Sequence, residues 1–334
     1  RLPGRSVIAG RAGLDPQESD DDYRLNLSGE WTFDWYQGTG DQDPVALGRA
    51  GARSSRRVSV PGVWQLQGYG TPYYLANTYP PALGRRRGRI PDIDPDANEI
   101  GVQTRTFSLP AGWLDRRTTI VFEGVKAGMY LFVNGQFAGY TQGSFLVAEF
   151  DISALVTPGD NTVTAVVYRY TDGSYLEDQD MWFFSGVFRP VWLNSEPVNA
   201  VRDLWVRPEI SAPWDQGTFR CEVDLHIASH VRRDLGVAVY LRHPGVSEWI
   251  LAAATDLDAG RDRVELIVPV PEPLLWSAET PHLYEVAAAL TSGDQILHVK
   301  STRTGMRDVT IADEQLLVNG RPVVLTGVNR HDFD

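Results

Sequence analysis

The densest set of groups able to do chemistry is the run Ser174-Tyr175-Leu176-Glu177-Asp178-Gln179-Asp180-Met181-Trp182. In an extended strand, residues i and i+2 share a face roughly 6.5–7 Å apart. Asp178 and Asp180 would then be spaced like the carboxylates of an inverting glycosidase, which stand about 6.5–9.5 Å apart. Orientation argues against that use, because a catalytic pair must flank the scissile bond from opposite sides. Carboxylate oxygens also suit hard cations such as Na⁺, Mg²⁺ or Ca²⁺. Three readings stay open from the residue types alone: a solvated structural loop, a cation or polar-ligand site, and a catalytic pair.

His331 directly follows the uniformly apolar run Val323-Val324-Leu325 and a short polar stretch. Such a run is how a strand buried on both faces of a parallel sheet reads. If that strand belongs to a barrel, the residues at its C-terminal end face an active site; otherwise His331 is a loop histidine without a role. The remaining histidines show no His-x-x-x-His spacing. There is no P-loop, no Gly-x-Gly-x-x-Gly after a strand and no Gly-x-Ser-x-Gly elbow, so nucleotide cofactors and serine-hydrolase chemistry have no support. Trp64, Tyr69, Tyr73, Tyr74 and Tyr79 crowd one segment, either as a sugar-stacking surface or as a buried aromatic belt.

The elements that must position these groups are strands. The chain of 334 residues carries 10 Trp, 13 Tyr, 31 Gly and 21 Pro, a composition of many short strands and turns. Asn134-Gly135, between Tyr130-Leu131-Phe132-Val133 and Gln136-Phe137-Ala138-Gly139-Tyr140, predicts a type I′ hairpin. Asn319-Gly320 predicts a second one. Residues 80–100, rich in Pro, Arg and Asp, are expected to form a long loop. Helix-period patterns are nearly absent before residue 200, which points to a sandwich or jelly roll. Beyond a boundary near Pro197, Phe219–Ile227 and Arg263–Ile267 alternate with period two, as in an immunoglobulin-like sandwich.

The net charge of −12 argues against nucleic acid or an anionic membrane as partner. The single cysteine, Cys221, excludes an intrachain disulfide and reads as a small buried hydrophobe. No run of 18 apolar residues exists, and the first residues lead into no apolar signal segment, so a cytoplasmic location is expected.

Val60-Pro61-Gly62-Val63-Trp64-Gln65-Leu66-Gln67-Gly68-Tyr69, with Pro72-x-Tyr74 and Tyr79-Pro80, resembles the sugar-binding domain of the large bacterial, lac-type β-galactosidases of glycoside hydrolase family 2. The eleven residues Asp172–Trp182, closing with Ser185-Gly186-Val187-Phe188-Arg189, are similar to that subfamily's longest motif. The sister β-glucuronidases lack its Glu-Asp-Gln-Asp form. Leu275-Trp276-Ser277-Ala278-Glu279-x-Pro281-x-Leu283-Tyr284 resembles the end of the family's immunoglobulin-like domain. Gly305-Met306-Arg307 and Gly327-Val328-Asn329-Arg330-His331 resemble the entry into its TIM barrel.

The resemblance implies an all-β chain. Its parts would be an N-terminal arm (1–24), a jelly-roll sugar-binding domain (25–197), an immunoglobulin-like sandwich (198–306) and the first strand of a truncated TIM barrel (307–334). It implies that Asp180 binds sodium and touches the galactose 6-hydroxyl, and that His331 helps stabilise the transition state. A family asparagine falls at Ala76 here, with Asn77 one residue later as the substrate contact. The nucleophile, the acid/base and the Mg²⁺ ligands would lie on later barrel strands, outside these residues. The implied activity is retaining hydrolysis of terminal β-D-galactose from substrates such as lactose, by a homo-oligomer. The alternatives are a non-catalytic carbohydrate-binding protein on the same jelly roll, or a family 2 hydrolase for another β-glycoside.

Overall fold

The structure is a computed structural model that describes residues 6–7, 23–75, 78–80, 82–83, 89–228 and 234–329. The described residues divide into two compact units, Arg24–Ser195 and Glu196–Val328, the second also taking in Ser6–Val7.

The first unit is a β-sandwich. Its larger sheet has the spatial order Arg57–Val60, Gly29–Gln37, Glu99–Leu109, Gly159–Tyr168, Gly128–Val133, Gln136–Thr141. All of its pairs run antiparallel. The opposing sheet is built from Ala148–Asp151, Arg117–Phe122, Val191–Glu196 and Arg24–Asn26. Period-two alternation sends Met129, Leu131 and Val133 into the core between the sheets, where they join Trp31, Phe33, Ile120 and Phe122. The intervening Phe132 points the other way, into a second cluster with Ile100, Val102 and Val166.

That outer cluster is covered by the seven-residue helix Pro44–Ala50, started by Asp43, whose carboxylate accepts from the Val45 N–H. Helix-period reasoning did not single it out, because seven residues hold too few repeats to stand out. Gly48 lets the helix approach: a Cβ there would lie 2.1 Å from the Phe132 ring. The Asn134-Gly135 turn forms as predicted, with φ of 50° and 74°.

The second unit is also a sandwich. One sheet comprises Gln295–Thr304, Tyr284–Ser292, Leu235–Arg242 and Ile250–Asp256 in that order, with Ser6–Val7 added at the Gln295–Thr304 edge. The other is Ala200–Ile210, Gln216–His226, Arg263–Pro271. Phe219, Cys221 and Val223 alternate inward from the second sheet to meet Val237, Val239 and Val286. Cys221 is fully buried, and burial pushes its thiol up to about 12, so it packs as an inert hydrophobe.

Asn319-Gly320 forms its hairpin between Gln315–Val318 and Arg321–Pro322, with φ of 50° and 69°. The apolar run after it departs from expectation. Val323-Val324-Leu325 forms no strand, and Val324 and Leu325 are 86% and 79% exposed. A strand buried on both faces needs a neighbour on each side; here the Val323 N–H still donates to the Leu316 carbonyl at 2.9 Å, while the exposed Val324 and Leu325 continue no described sheet.

Candidate functional site

The motif around Asp180 begins where the strand Gly159–Tyr168 ends. Thr171 donates its N–H to the Ser174 hydroxyl and accepts from the Ser174 N–H, which winds Asp172–Tyr175 into one 3₁₀ turn. The Tyr175 hydroxyl reaches the Asp92 carbonyl, which pins residues 89–93 against this turn. Residues 176–181 are then a loop rather than a strand, so the shared-face spacing of Asp178 and Asp180 does not arise.

The three acids instead take separate partners. Glu177 accepts from the N–H and the hydroxyl of the buried Ser144. Asp178 faces Lys126; burial raises its pKa while the ammonium opposes the rise. Lys126 is itself buried, with its pKa lowered by desolvation and pulled back up by Glu177 and Asp178, and its ammonium lies over the Phe145 and Phe183 rings. Both partners thus shift toward neutrality, because desolvation outweighs their attraction. Asp180 is exposed, and its Oδ1 accepts from the Tyr74 hydroxyl at 2.5 Å. That bond, with some burial, raises the Tyr74 phenol. Protein groups therefore balance Glu177 and Asp178, and among the described residues no three His, Cys, Asp or Glu side chains converge on a metal position.

Tyr74 comes from the other strongly patterned segment. Tyr74 and Trp182 form an antiparallel bridge, and the Phe183 N–H donates to the Tyr73 carbonyl at 2.8 Å. Alternation then sorts the aromatics. Phe183 turns inward onto Tyr170 and Tyr175, while Tyr74 and Trp182 stay 49% and 41% exposed, with Trp182 stacked on Phe184. Of the crowded aromatic segment, Trp64 is fully buried and Tyr69 packs its edge on Phe33, so these two belong to the core. The exposed surface beside Asp180 is Tyr74 and Trp182.

The first motif is held against the end of the second. Gly62 and Trp64 donate their N–H groups to Val187 and Ser185 carbonyls, and the Gln65 side chain accepts from the Ser185 N–H. Beneath both segments lies Arg169, its side chain 1% exposed. It pairs with Glu99 at 2.7 Å and donates to the Thr71 and Phe183 carbonyls at 2.6 and 3.1 Å. Sequence reasoning missed Arg169, Glu99, Lys126 and Ser144. Only a charge closing the apolar strand Gly159–Tyr168 hinted at Arg169, and its partner lies 70 residues away. His331 and Asn77 fall outside the described residues.

In the second unit, Trp276 donates its N–H to the Met306 carbonyl, its own carbonyl accepts from Asn319, and Arg307 lies over its ring. The Trp276 and Gly305–Arg307 motifs thus close this sandwich onto the 309–322 hairpin.

Against solved structures, the chain superposes on a Bifidobacterium dentium β-glucuronidase complexed with coumarin-3-O-glucuronide. The TM-score is 0.68 at 18% identity, over 90% of this chain and 51% of that one. The apo β-glucuronidase of Ruminococcus gnavus gives 0.66 at 22% identity, over 92% and 49%. At such identities the likeness is one of fold, two β-sandwich modules in sequence. Residues 25–197 match the family described as glycosyl hydrolases family 2, sugar binding domain, and residues 199–307 match glycosyl hydrolases family 2. The chain belongs to glycosyl hydrolase family 2. Relatives include β-galactosidases of Alteromonas mediterranea (37% identical over 317 residues) and Enterobacter cloacae (35% over 320), each alignment covering 92% of this chain. The chain spans about 30% of the length of these relatives. Among the described residues, no helix is long and apolar enough to cross a membrane.

Proposed function

We propose that this chain is the N-terminal portion of a retaining β-galactosidase that releases terminal non-reducing β-D-galactose, with lactose-like β-galactosides as substrates. The observation that carries the proposal is the 34–37% identity to proteins named β-galactosidase along 92% of the chain. The motif that sets this subfamily apart, Glu177-Asp178-Gln179-Asp180, stands on the exposed loop beside Tyr74 and Trp182.

In this reading the sugar-binding sandwich supplies one wall of the pocket. Asp180 holds the galactose 6-hydroxyl, directly or with a sodium ion, and Tyr74 orients the carboxylate that does so. The donor set suits sodium in part: Asp180 offers a hard anionic oxygen, and the remaining ligands would be carbonyls, water or sugar hydroxyls. Bound there, sodium would supply a fixed positive charge for hydroxyl oxygens. His331 would contribute to transition-state stabilisation and Asn77 a further hydroxyl contact. Retaining hydrolysis needs two carboxyl groups about 5–5.5 Å apart, one attacking and one shuttling a proton. Glu177 and Asp178 are committed to Ser144 and Lys126, so that pair, like a Mg²⁺ site, would be supplied by barrel residues outside this chain. A homo-oligomeric, cytoplasmic enzyme is part of the same reading.

The test is hydrolysis of a panel of nitrophenyl β-glycosides by the full-length protein and by the 334-residue chain. The proposal expects β-galactoside cleavage by the former and none by the latter. Preference for another glycoside, or binding without turnover, would replace it with the corresponding alternative.

A further inference from the structure

We infer that Arg169 is a positioning residue for the sugar pocket, fixing the Asp180 carboxylate from both sides through one buried guanidinium; this rests on the β-galactosidase reading for its kinetic arm alone. Thr71 lies three residues before Tyr74, and Phe183 three residues after Asp180. Nη2 of Arg169 donates to both of their carbonyls, and the Tyr74 hydroxyl donates to Asp180. The contacts close a ring: Arg169, Thr71, Tyr74, Asp180, Phe183 and back to Arg169. Beside that ring, the Phe183 N–H donates to the Tyr73 carbonyl, and Tyr74 and Trp182 meet in a bridge with their rings 5.6 Å apart.

The chemistry of the anchor argues for positioning over mere packing. A buried ion pair is poor evidence of stabilisation, since apolar residues of similar volume often serve as well or better. Here the guanidinium does more than pair with Glu99, and the geometry of its site follows from the backbone it holds. The site is arranged to bring two backbone carbonyls to one nitrogen. Glu99 holds the other arm, with its second oxygen accepting from Trp35 Nε1 at 3.2 Å. The cation also lies near the Tyr73 and Tyr170 rings, with centroids 5.1 and 5.2 Å away. A planar fork can serve Glu99 and two carbonyls together, which a lysine ammonium cannot do in the same geometry.

The test has two arms. The first needs no substrate. Hydrogen exchange is followed in the 334-residue chain for Arg169→Lys and for the charge-neutral double variant Arg169→Met/Glu99→Gln. The second variant leaves no unpaired buried charge, so a folding failure of one does not remove the test. Amides of residues 73–75 and 182–184 should exchange roughly tenfold faster or more, while the strand Gly159–Tyr168 keeps its protection. Unchanged exchange overturns the inference, and so does uniform loosening of the whole sandwich. The second arm compares kcat/KM of the full-length enzyme on a β-galactoside and on an α-L-arabinopyranoside, which lacks the 6-hydroxymethyl group. Arg169→Lys should lower the galactoside value roughly tenfold and the arabinopyranoside value much less, as for other residues that orient a ligand-holding side chain. In an Asp180→Asn background the same change should cost nothing further. Additive losses, or equal losses on both substrates, overturn it. If wild type cleaves neither sugar, the β-galactosidase reading fails and the exchange arm still decides the role of Arg169.

Discussion

His298 gives the fold a pH dependence that can be worked out from its surroundings. It sits on Gln295–Thr304 with no solvent exposure; its Nδ1 accepts from the Val201 N–H at 3.0 Å, and its Nε2 is buried without a partner. Burial, with the Lys300 ammonium nearby, pushes its pKa down to about 3 from an ordinary 6.5. Folded chains therefore stay unprotonated where unfolded chains take up a proton. The resulting stability is intact above pH 6.5 and is lost as pH falls from there toward the folded value, at about 1.4 kcal/mol per unit. Between pH 7 and 5 the loss from this residue alone is about 2 kcal/mol. The perturbation is His298→Asn, whose carbonyl can still accept from Val201 but does not titrate. Denaturant unfolding, followed by tryptophan fluorescence at half-unit steps over pH 5–7.5, should show a shallower fall in the variant. Other groups titrating in that window contribute to both proteins and cancel in the difference. Parallel pH profiles would refute the argument and mean that the pocket opens to admit the proton.

Four further outcomes follow from the packing. Gly48→Ala places a Cβ 2.1 Å from the Phe132 ring and should destabilise by about 1–3 kcal/mol through overpacking, read as a shifted unfolding midpoint with an unchanged m-value. Ser144→Ala removes one of two donors to Glu177 and should cost about 1.5–3 kcal/mol, with faster exchange confined to residues around 176–180. Val324 and Leu325 are exposed apolar side chains, each worth roughly 1.5–3 kcal/mol if buried; Val324→Asp/Leu325→Asp should reduce self-association of the 334-residue chain in sedimentation velocity. Deleting everything after Arg307 should help less than cutting after Pro322, because Asn319 and Asp308 of the intervening segment hold Trp276 and Trp214.

Hairpins and alternating strands were legible because their signals are local. Asn134-Gly135 and Asn319-Gly320 announce their turns within two residues, and Phe219 through Leu225 show their buried face in a period of two. The Asp180 loop was legible as a place where acids crowd, but not in its wiring. Local spacing suggested that Glu177, Asp178 and Asp180 act together, whereas Ser144, Lys126 and Tyr74 draw them apart from 33 to 106 residues away. Those partners carry no pattern of their own: Lys126 sits in a two-residue strand and Ser144 in a turn. The short helix over Phe132 escaped for the same kind of reason, since tertiary packing rather than periodicity sustains it. The apolar run 323–325 reads as a doubly buried strand, and that pattern states a requirement for neighbours rather than a structure the run attains alone.

The most direct test of the central claim, that this domain completes a galactoside pocket through Asp180, is one kinetic comparison. It takes kcat/KM for a β-galactoside and an α-L-arabinopyranoside, in full-length wild type and Asp180→Asn, across a sodium titration. A pocket built to pair with the 6-hydroxyl is penalised when its own partner group is removed. The account predicts that Asp180→Asn slows galactoside cleavage far more than arabinopyranoside cleavage and weakens the sodium dependence. Equal losses on both substrates with sodium dependence unchanged would contradict it and leave Asp180 as a residue that only holds its loop to Tyr74.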